Sequence, residues 1–157
     1  MTTVQRHGGG HGKAGGGLVG AYMIRPIRPA FQEATRLFPR PGNYFELKHQ
    51  ALKLRHWPGT PASVPSGQVL DLDWDWIKAM PSQRVGELRV DDEIAGHDNL
   101  RLIFYVGEKG VATPLPIIWI LAVLQKKRQD FTKFNIQTFE GRRILVDERF
   151  YKNREFL

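Results

Sequence analysis

Five side chains suited to gripping a phosphate fall in the second half of the chain, on segments that read as strands or strand ends. Arg89 ends Gly86-Glu87-Leu88-Arg89, Arg101 opens a strand in Asn99-Leu100-Arg101-Leu102, and Lys126-Lys127-Arg128 follows a long apolar run. Arginine holds two non-bridging oxygens in a planar fork and stays protonated, while lysine supplies a compact point charge. If the three segments are neighbouring strands, these cations converge on one concave face and form a phosphate cradle. The competing reading is that Arg89 and Arg101 only solvate a sheet and that the Lys-Lys-Arg run is an ordinary charged strand end.

Other chemistries lack their residues. The sequence contains no nucleophile–base signature, no Gly-rich phosphate loop and no metal-ligand cluster, so no metal or cofactor is expected. With no cysteine, neither a disulfide framework nor a thiolate site is possible. His7 and His11 stand in a glycine-rich stretch that fixes no ligand geometry. Asp71, Asp73 and Asp75 begin like a calcium loop, but Trp76 and Ser82 occupy the positions where glycine and glutamate are needed.

Net charge is +7 and its distribution is uneven. Residues 1–60 hold nine basic and two acidic side chains, residues 61–118 five and nine, and residues 119–157 nine and five. Basic surfaces of this kind bind phosphate backbones through counterion release. The longest apolar stretch, residues 114–124, is about half of the roughly 20 residues a membrane-spanning helix needs. It belongs in a core, and cytoplasm is the default compartment.

The elements that must position these cations follow from periodicity. Residues 1–20 are too poor in apolar side chains to offset the entropy of ordering, and residues 1–22 are expected to be an unstructured Gly/His-rich extension to a single domain at 23–157. Phe31, Ala34, Leu37 and Phe38 give a first helix that stops at Pro39-Arg-Pro-Gly42. Asn43 is placed to cap a second, in which Tyr44, Leu47, Ala51 and Leu54 recur at helical spacing. After a Pro/Ser/Gly-rich loop at 58–67, residues 69–77 alternate Leu and Trp against Asp and read as a strand. The Asp row is a solvated edge, or else an acidic surface that docks the chain's own basic face or a partner. Strands are expected at 85–91, 100–106 and 117–124, with turns that make consecutive strands antiparallel and a third that is apolar on both faces and therefore central. Residues 131–143 read as a helix with an uncertain end at Gly141, followed by a tail that is either more helix or a late strand. The fold class is α+β: two N-terminal helices packed on a twisted antiparallel sheet of about four strands, with a C-terminal helix.

In that order, Glu87-Leu88-Arg89, then Leu100-Arg101-Leu102-Ile103, then an apolar strand into Lys126-Lys127, then Gln129-Asp130-Phe131-Thr132 and a helix, the chain resembles the RelE/ParE toxin superfamily, closest to its HigB-type, phage-derived branch. The resemblance covers about residues 82–143 and extends loosely to the two preceding helices. It implies a RelE-like fold and a metal-independent endoribonuclease that cleaves messenger RNA, often on the ribosome, and that is neutralised by a cognate antitoxin protein.

In such a reaction the ribose 2′-hydroxyl attacks the adjacent phosphate, which demands a base, an acid for the departing 5′ oxygen and cations around the phosphate. The resemblance implies Arg89 and Arg101 as phosphate stabilisers, Lys126 and Lys127 as backbone holders and proton donors, and Glu87 as the base. It also implies RNA contacts by Arg128 and Lys133, and acid or stacking work for Tyr151. Two readings of Glu87 stand side by side, base or salt-bridge partner of a neighbour, and His97 carries the same ambiguity. Two functional alternatives also stand: a ParE-like toxin that blocks gyrase by protein contact, and a non-enzymatic RNA-binding module stacking bases on Trp74, Trp76, Phe104 or Tyr105.

Overall fold

A computed structural model of the chain describes residues 21–60, 72–80, 83–90, 99–110, 112–127 and 129–152. The Gly/His-rich head with His7 and His11, the strand residues expected at 69–71, Asp91, the turn holding His97, and Arg128 lie outside the described residues. No helix among the described residues is long and apolar enough to cross a membrane.

The elements run β1 (Met23–Pro26), α1 (Arg28–Leu37), α2 (Pro41–Leu52) continued by a 3₁₀ turn (Lys53–His56), β2 (Trp74–Trp76), β3 (Val85–Arg89), β4 (Leu100–Lys109), β5 (Pro116–Gln125) and α3 (Lys133–Val146), which passes into a π-helical turn (Asp147–Lys152). The α+β class is as expected. The sheet differs from the expected antiparallel one: it has five strands in the order β1-β5-β4-β3-β2, and β1 lies parallel to β5. Met23-Ile-Arg-Pro26 shows no strand alternation, and it becomes a strand because it pairs with a distant partner, Met23 with Ile117 through Pro26 with Ile120.

The helices divide between the two faces. Ala30, Ala34, Phe38, Leu47 and Leu54 from α1, α2 and their flanks pack with Leu88, Leu102, Phe104, Ile118, Ile120 and Val123 of the sheet. On the other face Phe139 and Val146 of α3 pack with Val85, Ile103, Ile117, Trp119 and Leu121. The result is three layers around one sheet, with β4 and β5 buried from both sides. Because both faces of β5 are apolar, an irregularity in it is invisible in the sequence. Ile103 pairs with Ala122 but Phe104 pairs with Ile120, so Leu121 is a bulge residue. It shifts the inward alternation by one, and both Leu121 and Ala122 face α3.

Helix ends also differ from expectation. The Pro39-Arg-Pro-Gly42 segment does not only stop α1; Pro41 opens α2, and its N-cap is Arg40 rather than Asn43. Proline suits that first position because its missing N–H has no helical partner there. Thr132 caps α3: its hydroxyl accepts from Asn135 N at 3.0 Å while its own N–H donates to Asn135 Oδ1 at 3.2 Å. That start is sturdy enough for α3 to run through Gly141, and the tail to residue 152 is helical, not a strand.

Past Pro26, β1 no longer covers the outer edge of β5. Two side chains from opposite layers close that edge. Glu33 of α1 accepts from Val123 N at 3.0 Å, and Arg142 of α3 donates to the Leu121 carbonyl at 2.8 Å. The two side chains then pair with each other through both guanidinium nitrogens, at 3.0 and 2.9 Å. An edge that would template foreign strands is thereby satisfied, and α1 is tied to α3 around it.

At the far end of α3, the Tyr105 hydroxyl donates to Asp147 Oδ1 at 2.6 Å, and Arg143 pairs with the same carboxylate at 3.0 Å. Burial first, then the bond to Asp147, raises the Tyr105 phenol above its ordinary value of 10.0. Above that pH the unfolded chain releases the proton and the folded chain keeps it, so stability falls as pH rises past 10.0. Urea unfolding at pH 8 to 11 is expected to show this decline, and Tyr105→Phe to flatten it. An equally steep decline in the variant would remove Tyr105 as its source.

Candidate functional site

The antiparallel register places the expected cations. Arg89 is the partner of Arg101, and Arg101 the partner of Leu124, so their side chains emerge on one face, as residues directly opposite in a ladder do. Glu87, two residues before Arg89, shares that face by strand alternation. Lys126 follows β5, its N–H held by the Asn99 carbonyl at 2.8 Å. The site therefore occupies the corner where β3 ends, β4 begins and β5 runs out toward α3.

Glu87 is the hub of this corner. Its Oε1 accepts from Arg101 Nε at 3.2 Å and from Lys126 Nζ at 3.4 Å. Arg101 is only 6% exposed and also donates to the Leu100 carbonyl at 3.2 Å. Burial, and then the like charge of Arg89, lower its pKa, while Glu87 acts in the opposite sense. Two arginines facing each other across a ladder repel. Here Glu87 offsets one and Asp73 the other, the latter pairing with Arg89 NH1 at 3.3 Å. Part of the Asp row thus docks the chain's own basic face, whereas Asp75 is exposed and accepts from Trp76 N. Arg89, Arg101 and Lys126 thus share Glu87 and Asp73, with the exposed Asp75 directly opposite Glu87 in the ladder.

Around this core the remaining residues are less tightly held. Lys126 Nζ lies 4.5 Å from the centroid of Phe131, a contact that fixes the ammonium between Glu87 and the start of α3. Lys127 is exposed and, with Lys126, Asp130, Thr132 and Asn135, lines an open cavity of about 260 Å³ next to the ion-pair cluster. Lys133 is the first residue of α3 and exposed.

Tyr151 stands apart from the others. Its hydroxyl donates to the Glu108 carbonyl at 2.8 Å and accepts from Trp119 Nε1 at 2.9 Å, with the ring against Gly107. Glu108 is seven residues along β4 from Arg101, about 24 Å at strand rise. The structure therefore brings together Glu87, Arg89, Arg101, Lys126 and Lys127, sets Lys133 beside them, and leaves Tyr151 at the opposite end of the sheet. Of the proposed stacking aromatics, Phe104 is closed to solvent and Tyr105 is committed to Asp147. Trp74 packs edge-on against Trp76 and Phe104 and donates to the Pro58 carbonyl at 3.0 Å.

Sequence reasoning named neither Asp73 as the counterion of Arg89 nor Phe131 as the seat of Lys126. The first was signalled by the acidic row beside a basic chain. The second had no signal, because Phe131 reads as one more apolar helix residue.

A corner of this kind can hold a phosphate. An incoming non-bridging oxygen competes with Glu87 for Arg101 and Lys126, and a carboxylate so displaced is left beside the same ligand. Among the described residues, no group of three or more His, Cys, Asp or Glu is arranged to hold a metal ion. Compared with family models, curated proteins and solved structures, the chain matches none.

Proposed function

We propose that the chain is a RelE-like endoribonuclease toxin of a toxin–antitoxin pair, cleaving messenger RNA from the corner built by Glu87, Arg101 and Lys126. The single observation that carries this reading is one carboxylate held within 3.4 Å of two cations at one end of the sheet. The three tasks of the reaction map onto the three groups. Arg101, with Arg89 at its rim, stabilises the charge that accumulates on the non-bridging oxygens. Glu87 takes the proton of the 2′-hydroxyl as its oxygen bonds to phosphorus, and Lys126 gives a proton to the 5′ oxygen as the P–O5′ bond breaks. The products are a 2′,3′-cyclic phosphate and a 5′-hydroxyl end. Lys127 and Lys133 hold the flanking backbone, and an acidic antitoxin covers the basic face until it is removed.

Expression of the chain alone in bacteria from an inducible promoter tests the reading. Growth is expected to stop, with new RNA 5′-hydroxyl ends appearing within minutes of induction. Arrest without new ends would instead support gyrase inhibition by protein contact, and unimpaired growth would overturn the toxin reading.

A further inference from the structure

The outward face of α3 is apolar at both ends and bare in the middle. Phe134, Gln137, Gly141, Ile144 and Leu145 of the helix, and Glu148 in the turn that follows, are all exposed. Their spacings of three and four residues set them on one face, turned away from the buried Phe139 and Val146. Phe134 is 75% exposed, Ile144 40% and Leu145 46%, so most of the large apolar surface left open among the described residues, Phe31 and Phe45 apart, is on this one helix. Gly141 is equally unexplained by the chain's own packing. A Cβ there would meet nothing within 4 Å, yet glycine in a helix interior is less stable than alanine. Large apolar side chains on either side of a bare backbone position are what a second helix needs in order to approach closely.

The order of these residues suits a copy of the same helix running the opposite way. A two-fold axis across the middle of α3 brings Phe134 of one copy against Ile144 and Leu145 of the other, and Gln137 against Gly141. The same operation sets the exposed Lys133 of each copy within side-chain reach of the exposed Glu148 of the other, so opposite charges meet at both ends. A parallel arrangement would put lysine beside lysine and glutamate beside glutamate. We infer that α3 is a self-association surface through which two copies of this chain pair antiparallel, with Gly141 admitting the partner's helix. At 14 residues α3 is about 21 Å long, so the contact belongs to the small class of interface and the dimer is a weak one, in the micromolar range. Lys133 is also the lysine assigned above to the RNA backbone, so pairing and strand retention draw on one ammonium, whereas the apolar contacts are independent of the nuclease reading.

Sedimentation equilibrium of the purified full chain, from about 5 to about 500 μM, tests the pairing. The wild type is expected to pass from monomer to dimer across that range. Phe134→Asp should stay monomeric without loss of melting temperature in dilute solution, since an acid suits the first turn of a helix. Gly141→Gln separates the interface from the fold, because its two effects have opposite signs: the dilute chain melts higher, and the dimer weakens by about tenfold or more. Lys133→Glu and Glu148→Lys should each weaken pairing. An equimolar mixture of those two variants should form a heterodimer, because every contact between unlike copies then joins opposite charges. A wild type that is monomeric throughout the range would overturn the inference, as would a dimer indifferent to Phe134→Asp and to the charge reversals. An otherwise monomeric chain that releases a co-purified protein or RNA on Phe134→Asp would give the face to that partner and overturn the pairing too.

Discussion

Arg101→Ala is expected to reduce cleavage of a single-stranded RNA by about 100- to 1,000-fold, the usual loss when one preorganised charge stabiliser is removed from a transition state. Affinity for an uncleavable analogue should fall less than about tenfold, because only one of several phosphate contacts disappears. The separation of the two effects follows from the geometry. Arg101 is buried and held by Glu87, so it is oriented before the substrate arrives and loses little freedom on reaction. Lys127 and Lys133 are exposed, and on the proposed reading they serve mainly to retain the strand.

The substitution also leaves the corner folded, since Glu87 keeps its bond to Lys126. The reverse change is harsher: Glu87→Ala strands a buried guanidinium beside the like charge of Arg89. Single-turnover cleavage and analogue binding on the same preparations decide the matter. Equal losses in both would make Arg101 a binding residue only, and no loss in either would return it to the role of a sheet-solvating charge. Arg101→Lys keeps the charge but not the fork, and an intermediate rate would show that bidentate geometry matters.

The largest expected effect on stability belongs to Arg142→Ala. This change removes two bonds to Glu33 and one to the Leu121 carbonyl, leaving a part-buried carboxylate without its partner. Bonds to charged groups and the abandoned carboxylate together suggest about 3 kcal/mol, with allowance for partial exposure of both side chains. For a domain of this size that is a fall in melting temperature of roughly 6–12 °C. Glu33→Gln should cost less, since an amide oxygen can still accept from Val123 N. Melting of Arg142→Ala within about 1 °C of the wild type would show that the pair does not hold the layers together.

How much of this could be read in the sequence depends on whether the decisive contacts are local. The cores of β3, β4 and β5 were legible because runs such as Ile117-Ile-Trp-Ile-Leu121 have one comfortable environment and are bounded by glycine- or asparagine-containing turns. From those strands the meeting of Arg89 with Arg101 follows by register alone. β1 was not legible, because four residues without alternation become a strand only through a partner far along the chain. The split of helices between two faces was hidden for a related reason: periodicity reveals that a helix has an apolar stripe, not which side of a sheet receives it. Pro41 did carry a signal, but one proline can end a helix or begin one, and the shorter reading of Pro39-Arg-Pro-Gly42 concealed the second possibility. Glu33 and Arg142 look like any charged helix residues until the bare edge of β5 gives them a purpose.

That edge also sets when the molecule can exist during its own synthesis. β1 is made early, yet its ladder partner follows only when the ribosome has passed residue 117, and Glu33 waits for an arginine 109 positions later. At about 5–20 residues per second the first of these delays is roughly 5–20 s. Throughout it, the nascent chain carries an unpaired strand, and once β5 emerges its Leu121 carbonyl stays open until Arg142 of α3 follows. Closure of the sheet therefore waits for β5 and then α3, and the corner that holds Arg101 is assembled only after Lys126 has been made.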